Sequence, residues 1–450
     1  MPDTGSPTAD LARFVTIAEV PEPVLAAGAA ALVDTLGVAI AARDEDVVRH
    51  ARAWVAELQA APVARIWGTE CASAPSEAAF VNGIAAHALD FDDGMEGLHG
   101  HPSATLMPVA LAVGEAVGSS GREVLAAYAI GIEVASAVGR VLGYGHYLKG
   151  WHKTSTVGVF AAATAAARLQ GLDAQATCHA WGLAAAQMSG LLASFGTMAK
   201  SFQAGHAARC GVLAAGLARR GVTANARILD PGSGLLAAYA GSDGLALPAP
   251  GAHWALLSPG LSFKRWPCCY TSHRPLAGLL ALMERHALHP AAVERVEVGF
   301  LPGADVALVS RAPQTGLEAL VSLEYPLAAA LLDGRVDRLA FTDAMVQRPE
   351  AQAAMRRILR RTRPSDRQHS WREGDVELVV VTREATYAER IVAIPGTAEA
   401  PMTPAETEAK FLACVVPALG DAAAAGLLTA ARGAARLSCI RDLTALAVAT

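Results

Sequence analysis

Two neighbouring segments of the chain concentrate side chains that can transfer protons or bind a metal ion. The first, His87 to Asp93, contains three aspartates, and the second is His99-Gly-His101. Both lie within a stretch rich in alanine and leucine, a composition typical of buried helices. Because carboxylates and imidazoles are costly to remove from water, such a cluster beside apolar helices indicates a functional site.

The residue types in this cluster permit three interpretations. In the first, a metal-dependent hydrolase binds a divalent ion through Asp90, Asp92, His99 and His101. In the second, an aspartate caps the next helix and the histidines only donate hydrogen bonds. In the third, the aspartates orient a general acid or base without a metal. His101 also precedes a predicted helix, whose amino-terminus favours an anionic ligand.

Three later segments also combine ionisable residues with aromatic or small ones. They are Trp151-His152-Lys153-Thr154, Thr197-Met198-Ala199-Lys200 and Phe263-Lys264-Arg265-Trp266. A single histidine is often structural, and a Lys-Arg pair is ordinarily solvated at the surface. The recurrence of the pattern nevertheless predicts one pocket assembled from distant parts of the chain.

The predicted pocket contains more cations and imidazoles than carboxylates. The candidates are His101, His152, Lys200, Lys264 and His273. Such groups hold carboxylates and stabilise the enediolate-like charge that develops when a proton leaves the carbon beside one. The balance therefore fits a small polycarboxylate as the bound molecule.

Composition and motifs argue against several other classes of protein. The net charge of -5 and the lack of a basic block argue against a nucleic-acid partner. We find no phosphate loop, dinucleotide fingerprint or nucleophile elbow. The seven cysteines include no Cys-x-x-Cys pair, which argues against a disulfide framework or an iron–sulfur cluster. Residues 1–10 do not resemble a targeting signal, and Ala174 to Ala199 is too polar for a bilayer span, so a cytoplasmic protein is expected.

The chain is predicted to be mainly α-helical with a smaller α+β domain. Its 450 residues exceed one ordinary core, and helical periodicity extends from Thr8 to about Gly221. Strands are predicted over Val293 to Phe300, Asp375 to Thr382 and Thr386 to Ile394. We therefore expect a discontinuous helical domain of residues 1–260 plus 403–450, interrupted by an α+β domain of residues 261–402. With 53% hydrophobic and 18% charged residues, a homodimer would bury the excess apolar surface.

Several longer motifs closely resemble the MmgE/PrpD family, in order and spacing, from about residue 10 to residue 420. They include His87-Ala-Leu-Asp-Phe-Asp-Asp93, His101-Pro-Ser-Ala104, Gly150-Trp-His-Lys-Thr-Ser-Thr156, Gly196-Thr-Met-Ala-Lys200, Ala204-Gly-His-Ala-Ala-Arg209, Phe263-Lys-Arg-Trp-Pro-Cys268 and Ser322-Leu-Glu-Tyr325. The family includes 2-methylcitrate dehydratases, cis-aconitate decarboxylases and iminodisuccinate epimerases. The resemblance implies a helical domain plus a smaller α+β domain, a homodimer, and catalysis without a metal or other cofactor.

Carried over position by position, the family's pocket corresponds to Asp93, His101, His152, Lys200, Lys264 and Tyr325. Proton transfer is predicted for His152 or Lys200, because both can titrate near neutrality when they are desolvated.

The other pocket positions have binding or orienting roles in this prediction. Lys264 and His101 would bind carboxylate, assisted by the nearby Arg265 and His273. Tyr325 would donate a proton to a leaving group or a developing anion. Asp93 would orient a neighbouring imidazole, and Tyr144 and Tyr147 are weaker candidates for the same pocket.

Three residues depart from the family pattern. Cys269 stands where the decarboxylases tend to have histidine, Lys153 replaces a common proline, and Gly94 replaces the usual threonine. The leading hypothesis is a cofactor-independent hydro-lyase acting on a 2-methylcitrate-like acid. An epimerase or decarboxylase on a related acid is the alternative, and the metal-dependent hydrolase stays a different class of enzyme. A dimeric binding or scaffold protein derived from an enzyme is the non-enzymatic alternative.

Overall fold

The structure is a computed structural model that describes residues 5–240, 247–251 and 253–448. Its first part is helical, as the periodicity predicts. Two-residue strands β1 (Ala64–Arg65) and β2 (Ala72–Ser73) pair between the third and fourth helices. The helices are α1 (Pro7–Ile17), α2 (Glu22–Ala41), α3 (Asp46–Glu57), α4 (Pro75–Ala88), α5 (Pro102–Val117), α6 (Gly121–Leu148), α7 (Lys153–Thr156), α8 (Gly158–Leu169), α9 (Ala174–Ala185), α10 (Ala199–Arg219) and α11 (Leu235–Tyr239).

Glycines allow two of the helices that carry site residues to approach each other closely. A Cβ atom added to Gly83 of α4 would lie 2.9 Å from the Cα of Gly205 of α10. A Cβ added to Gly205 would lie 2.3 Å from the carbonyl oxygen of Phe80. Because no side chain separates the two backbones, the end of α4, near His87, lies close to the start of α10, near Lys200.

The α+β region is built on a four-stranded mixed sheet. Its strands are β3 (Val293–Phe300), β4 (Ile358–Thr362), β5 (Val376–Thr382) and β6 (Thr386–Ile391), in the order β4-β3-β5-β6. Strand β4 runs parallel to β3, and the other pairs are antiparallel. The helices of this region are α12 (His273–Arg285), α13 (Gly316–Leu320), α14 (Glu324–Asp333), α15 (Asp343–Val346) and α16 (Pro349–Met355). Leu378 and Val380 of β5 share a buried core with Leu276 and Leu279 of α12.

The tail returns to the helical core through α17 (Pro404–Leu419), α18 (Asp421–Arg432) and α19 (Arg441–Thr444). Phe411 and Leu427 are buried in the same core as the first helices, and the Phe411 ring packs against Gly37 of α2. The Lys410 ammonium lies 2.6 Å from an Asp34 carboxylate oxygen and donates to the carbonyl of Phe91 at 2.9 Å. The tail thus contacts the segment that carries the aspartates.

The two long apolar helices of the fold are core helices. Helices α2 and α6 are long and hydrophobic enough to cross a bilayer, but their most apolar windows are 78% and 89% buried within the protein. Burial on this scale explains their hydropathy without a membrane. The predicted fold class, mainly α with a smaller α+β domain, is confirmed. The exact domain boundaries and the homodimer stay predictions.

Candidate active site

Four of the five predicted segments contribute residues to a narrow cavity between the helical core and the α+β region, and the fifth, Phe263 to Trp266, does not line it. Its volume is about 50 Å³, which is room for a few water molecules. The helical region contributes Asp90, Gly94, His99, Gly100, His101, Tyr144, Tyr147, His152, Thr154, Phe195 and Lys200. The α+β region contributes Cys269, Tyr270, Thr271, Ala307, Val321 and Trp371.

Asp90 is the charged centre of this cavity. It follows α4 in a left-handed backbone conformation, φ +48°, which an aspartate tolerates. Its Oδ1 accepts from the Lys200 Nζ at 2.8 Å and from the Lys264 Nζ at 2.7 Å. Burial alone would raise the pKa of Asp90, but the two ammonium groups hold it well below its usual range. Asp90 is therefore ionised and forms an ion pair with each lysine.

Lys264 lies behind Asp90 and does not line the cavity. Its side chain is fully buried, and its ammonium also donates to the Asp90 carbonyl at 2.8 Å. Burial lowers the pKa of Lys264, but Asp90 and Asp92 outweigh that effect and raise it. The sequence predicts that Lys264 binds a substrate carboxylate; in the structure its partner is Asp90.

Asp92 orients two imidazoles that stand beside Asp90. Its Oδ2 lies 2.8 Å from His87 Nδ1 and 3.4 Å from His101 Nδ1. His101 Nδ1 also lies 2.7 Å from the carbonyl oxygen of Asp93, which can only accept. His101 Nδ1 therefore carries a hydrogen, and its Nε2 is left with a lone pair.

A second network sets the tautomer of His152. Gln203 Nε2 donates to the Leu191 carbonyl at 3.1 Å, so Gln203 Oε1 accepts from His152 Nδ1 at 2.7 Å. His152 Nε2 is buried and has no hydrogen-bond partner among the described residues. Burial lowers the pKa of His152 and of His101 well below the usual value, so both imidazoles are neutral near pH 7. Each can act as a base through Nε2.

The three imidazoles lie side by side, with the His87 ring stacked on that of His152 and tilted by 56° against that of His101. The His87 ring centroid lies 4.8 Å from that of His101 and 5.5 Å from that of His152. Phe195 packs edge-on against His152 at 5.0 Å and lies 5.4 Å below the Lys200 ammonium. The array places two basic nitrogens and one ammonium around the same small space.

The Asp93 carboxylate points away from the imidazoles. It accepts a hydrogen bond from Ser103 Oγ, which also lies 2.6 Å from the hydroxyl of Tyr128. Burial raises the pKa of Asp93 to about 8, so its side chain is protonated at neutral pH. Asp93 does orient an imidazole, but through its backbone carbonyl; the carboxylate that orients imidazoles is that of Asp92.

Three other predicted site residues lie outside the cavity. The Tyr325 hydroxyl donates to the Ala340 carbonyl, and its ring packs against Phe341. Arg265 is exposed and pairs with Glu406 at 3.3 Å. His273 is buried next to the cavity wall, with its ring 4.5 Å from that of Tyr270. Each is held by local partners, and none is among the residues that line the cavity.

Sequence reasoning missed several residues of the site. Asp90 is predicted only as a metal ligand or, together with the other aspartates, as a group that orients an acid or base, and the sequence assigns no role to His87, Gln203, Tyr270 or Trp371. A signal existed for Gln203, which lies one helical turn after Lys200 and therefore on the same face of α10. No local pattern pointed to Trp371.

A metal ion fits the donor set of this site poorly. Ligand atoms of His87, Asp90, Asp92 and His101 lie within 4.8 Å of one another. Lys200 and Lys264 already place two positive charges on Asp90. A dication at the same carboxylate would be repelled by both ammonium groups. His99, the remaining residue of the metal hypothesis, lines the cavity outside this cluster.

Comparisons with known proteins agree with the motifs. Residues 8–248 match the MmgE/PrpD N-terminal domain, and residues 266–432 match the MmgE/PrpD C-terminal domain. Cis-aconitate decarboxylase of Mus musculus is 30% identical over 400 residues, which cover 85% of this chain and 80% of that protein. The Homo sapiens protein of the same name is 30% identical, covering 85% and 81%. Cis-aconitate decarboxylase of Aspergillus terreus is 26% identical, covering 63% of each. The resemblance inferred from the sequence is confirmed.

Proposed function

The chain belongs to the MmgE/PrpD family, and from that premise we propose that it is a lyase acting next to a carboxylate of a small polycarboxylic acid. The observation that carries the proposal is that two neutral imidazoles, His101 and His152, each with a lone pair on Nε2, line one cavity together with the Lys200 ammonium. These are the groups that a proton transfer beside a carboxylate requires.

In this mechanism His152 transfers the proton and Lys200 stabilises the charge. Nε2 of His152 is the buried, unpartnered base, and Gln203 holds its ring in place. Negative charge develops on the substrate as an enediolate, and the Lys200 ammonium offsets it. Carboxylates of a bound substrate raise the pKa of nearby imidazoles, so that an imidazole can return a proton as well as remove one.

The reaction we favour is the loss of carbon dioxide from an unsaturated tricarboxylate. The carbon–carbon bond to one carboxylate breaks, and its electron pair passes into the adjacent unsaturated system. Carbon dioxide leaves, and an imidazolium formed on substrate binding protonates carbon. The names of the relatives support this subtype, since all three are cis-aconitate decarboxylases.

Dehydration of a hydroxy-polycarboxylate is the second candidate. Here an imidazole removes a proton beside a carboxylate, and the hydroxide leaves as water after a second group protonates it. Cys269 favours this subtype, because the sequence resemblance places a histidine at this position in decarboxylases, whereas Cys269 lines the cavity with a thiol whose pKa burial raises. A neutral thiol cannot replace an imidazolium as a proton donor of similar strength.

Proton NMR in deuterated water tests the proposal and separates the subtypes. The substrates are cis-aconitate, 2-methylcitrate, citrate and iminodisuccinate. Decarboxylation gives a product one carbon shorter with deuterium at carbon, and dehydration gives new olefinic signals. Lys200→Met should abolish either reaction, while Lys149→Met, an exposed lysine near the site in sequence, should not. Deuterium exchange with inversion and no loss of mass would instead establish an epimerase and refute the lyase.

A further inference from the structure

Lys153 is a buried cation without a carboxylate partner. Its side chain is fully buried, and its Nζ donates only to the carbonyls of Gly139, at 2.8 Å, and Gly143, at 3.0 Å. Within the described part of the chain, no acidic side chain forms an ion pair with it. A buried ammonium satisfied by carbonyls alone is costly, which indicates that its charge serves a purpose beyond stability.

The two carbonyls belong to the broken end of a helix. Helix α6 is interrupted at Gly143, where φ is +64° and ψ is -179°. The carbonyls before such a break have no partner in the helix and carry the negative end of its dipole. Tyr144 and Tyr147, which follow the break, line the cavity.

Lys153 also connects this break to the start of α7. His152 precedes it and Thr154 follows it, and both line the cavity. The Thr154 Oγ1 accepts from the backbone amide of His101 at 3.1 Å. One ammonium therefore joins the tyrosine segment to the segment that carries the proton-transferring imidazole.

The remaining charges of the site cancel. Asp90 and Asp92 carry negative charge opposite the positive charges of Lys200 and Lys264, and the Asp93 carboxyl is protonated at neutral pH. The charge of Lys153 is then unbalanced. Burial, the larger effect, and the nearby charge of Lys153 lower the pKa of His99, a residue that lines the cavity, to about 3. Glu373 acts on His99 in the opposite direction, but its carboxylate is paired with Arg367 at 3.3 Å.

We propose that Lys153 is a positioning residue whose unpaired charge attracts polycarboxylates into the neighbouring cavity, so that anion binding is coupled to proton uptake by this lysine. This inference rests on the proposed function, since it takes a polycarboxylate as the ligand. A bound anion favours the charged form of any nearby amine, and the coupling is reciprocal.

The other groups around Lys153 do not compensate for its charge. His99 faces it from the loop before α5 and His146 from α6, and burial lowers the pKa of both to about 3 and about 4. His152 is neutral for the same reason. Burial lowers the pKa of Lys153 itself to about 7, so its protonation changes in the neutral range.

Isothermal titration of the full-length protein with tricarballylate, a saturated tricarboxylate that has no hydroxyl to lose, tests the coupling. Titrations at about pH 8 in two buffers of different ionisation enthalpy measure proton uptake. We expect the wild type to take up a fraction of a proton, to which the cavity imidazoles also contribute, and Lys153→Met to bind roughly tenfold more weakly with a clearly smaller uptake. Lys153→Arg should keep the affinity but show the same smaller uptake, since a guanidinium does not titrate. Lys149→Met should match the wild type.

The outcomes separate this inference from the proposed function. If Lys153→Met binds tricarballylate with wild-type affinity and uptake, the role of Lys153 is refuted and the proposed function stands. If the wild type neither binds tricarballylate nor converts any polycarboxylate, the proposed function fails and this inference fails with it. If Lys153→Met does not fold, Lys153→Arg decides: uptake equal to that of the wild type refutes the coupling, and a smaller uptake supports it.

Discussion

The two walls of the cavity differ in chemistry. The helical wall contains its ionisable groups, including Asp90, His101, His152 and Lys200. The α+β wall presents a thiol, a phenol, a hydroxyl and an indole, from Cys269, Tyr270, Thr271 and Trp371, together with small apolar side chains. The difference indicates that proton transfer belongs to the helical wall, whereas the α+β wall determines which molecule fits.

The α+β wall is nevertheless held firmly. Trp371 stacks on Tyr270 with ring centroids 5.0 Å apart. The buried Arg274 guanidinium donates to the carbonyls of Trp371, Arg372 and Val392, which fixes the loop that carries the indole. Since a cavity of about 50 Å³ is smaller than a tricarboxylate, the two walls must separate to admit substrate. We expect the α+β wall to move as a unit.

Removal of the proposed base from the helical wall should lower activity more than any of the substitutions that follow. His152→Ala removes the unpartnered Nε2, and we expect kcat to fall by about 10³-fold, in the range of a lost general base, with a smaller change in KM. Steady-state kinetics on the converted acid measures this. His179→Ala, which removes an imidazole bound to the Ala224 carbonyl far from the cavity, is the control. If His152→Ala retains turnover and His101→Ala loses it, His101 is the base.

Asp90→Asn should affect both activity and stability. It leaves two buried ammonium groups without their carboxylate, and we expect a loss of about 3–5 kcal/mol in the free energy of unfolding, with kcat lowered about 10²-fold. The native pKa of Asp90 is below the unfolded value, so its stabilisation is present above pH 4 and is lost as the pH falls further. Urea unfolding at pH 7 measures the loss. Asp10→Asn, which breaks the exposed pair with Arg13, should change the free energy of unfolding little. An equal loss of stability in Asp10→Asn would contradict the special role of Asp90.

Cys269→Ser tests the α+β wall and should have a moderate effect. The substitution changes the size and polarity of one lining atom, and we expect kcat/KM to change by about tenfold, mainly through KM or through preference among acids. Competition between pairs of acids measures the preference. Cys268→Ser is a matched control, because Cys268 is fully buried but does not line the cavity. A loss of kcat as large as that of His152→Ala would assign chemistry to this wall as well.

The sequence predicts the fold class better than it predicts the direction of side chains. Val293–Phe300 has the predicted bounds of β3, because its alternating valines mark one buried face. The sequence does not predict strand β4, because Ile358-Leu-Arg-Arg-Thr362 contains two arginines, which a buried strand seldom has. In the structure Arg360 pairs with the buried Glu324 at 2.7 Å, a partner that the local sequence does not reveal.

The same limit explains which of the predicted site residues line the cavity. His101, His152 and Lys200 line it, since each lies at or near the start of a helix that points into it. Asp93 and Tyr325 belong to family motifs, but their side chains point to Ser103 and Ala340. Motifs identify segments, whereas the direction of a side chain depends on partners that lie outside the motif.

Asp93→Asn should have the smallest effect and most sharply distinguishes Asp93 from Asp90. The native pKa of Asp93 is about 8, against 3.8 in the unfolded chain, so the native state holds a proton that the unfolded state releases. The resulting stabilisation is complete below pH 4 and decreases as the pH rises towards 8. Asparagine cannot ionise, so we expect the unfolding free energy of the variant to vary less between pH 4 and pH 8.

Because the backbone carbonyl still holds His101, kcat should stay within about threefold of wild type. Urea unfolding across this pH range, with kinetics at pH 7, measures both; a loss of kcat comparable to that of Asp90→Asn would show that the ionised Asp93 is required.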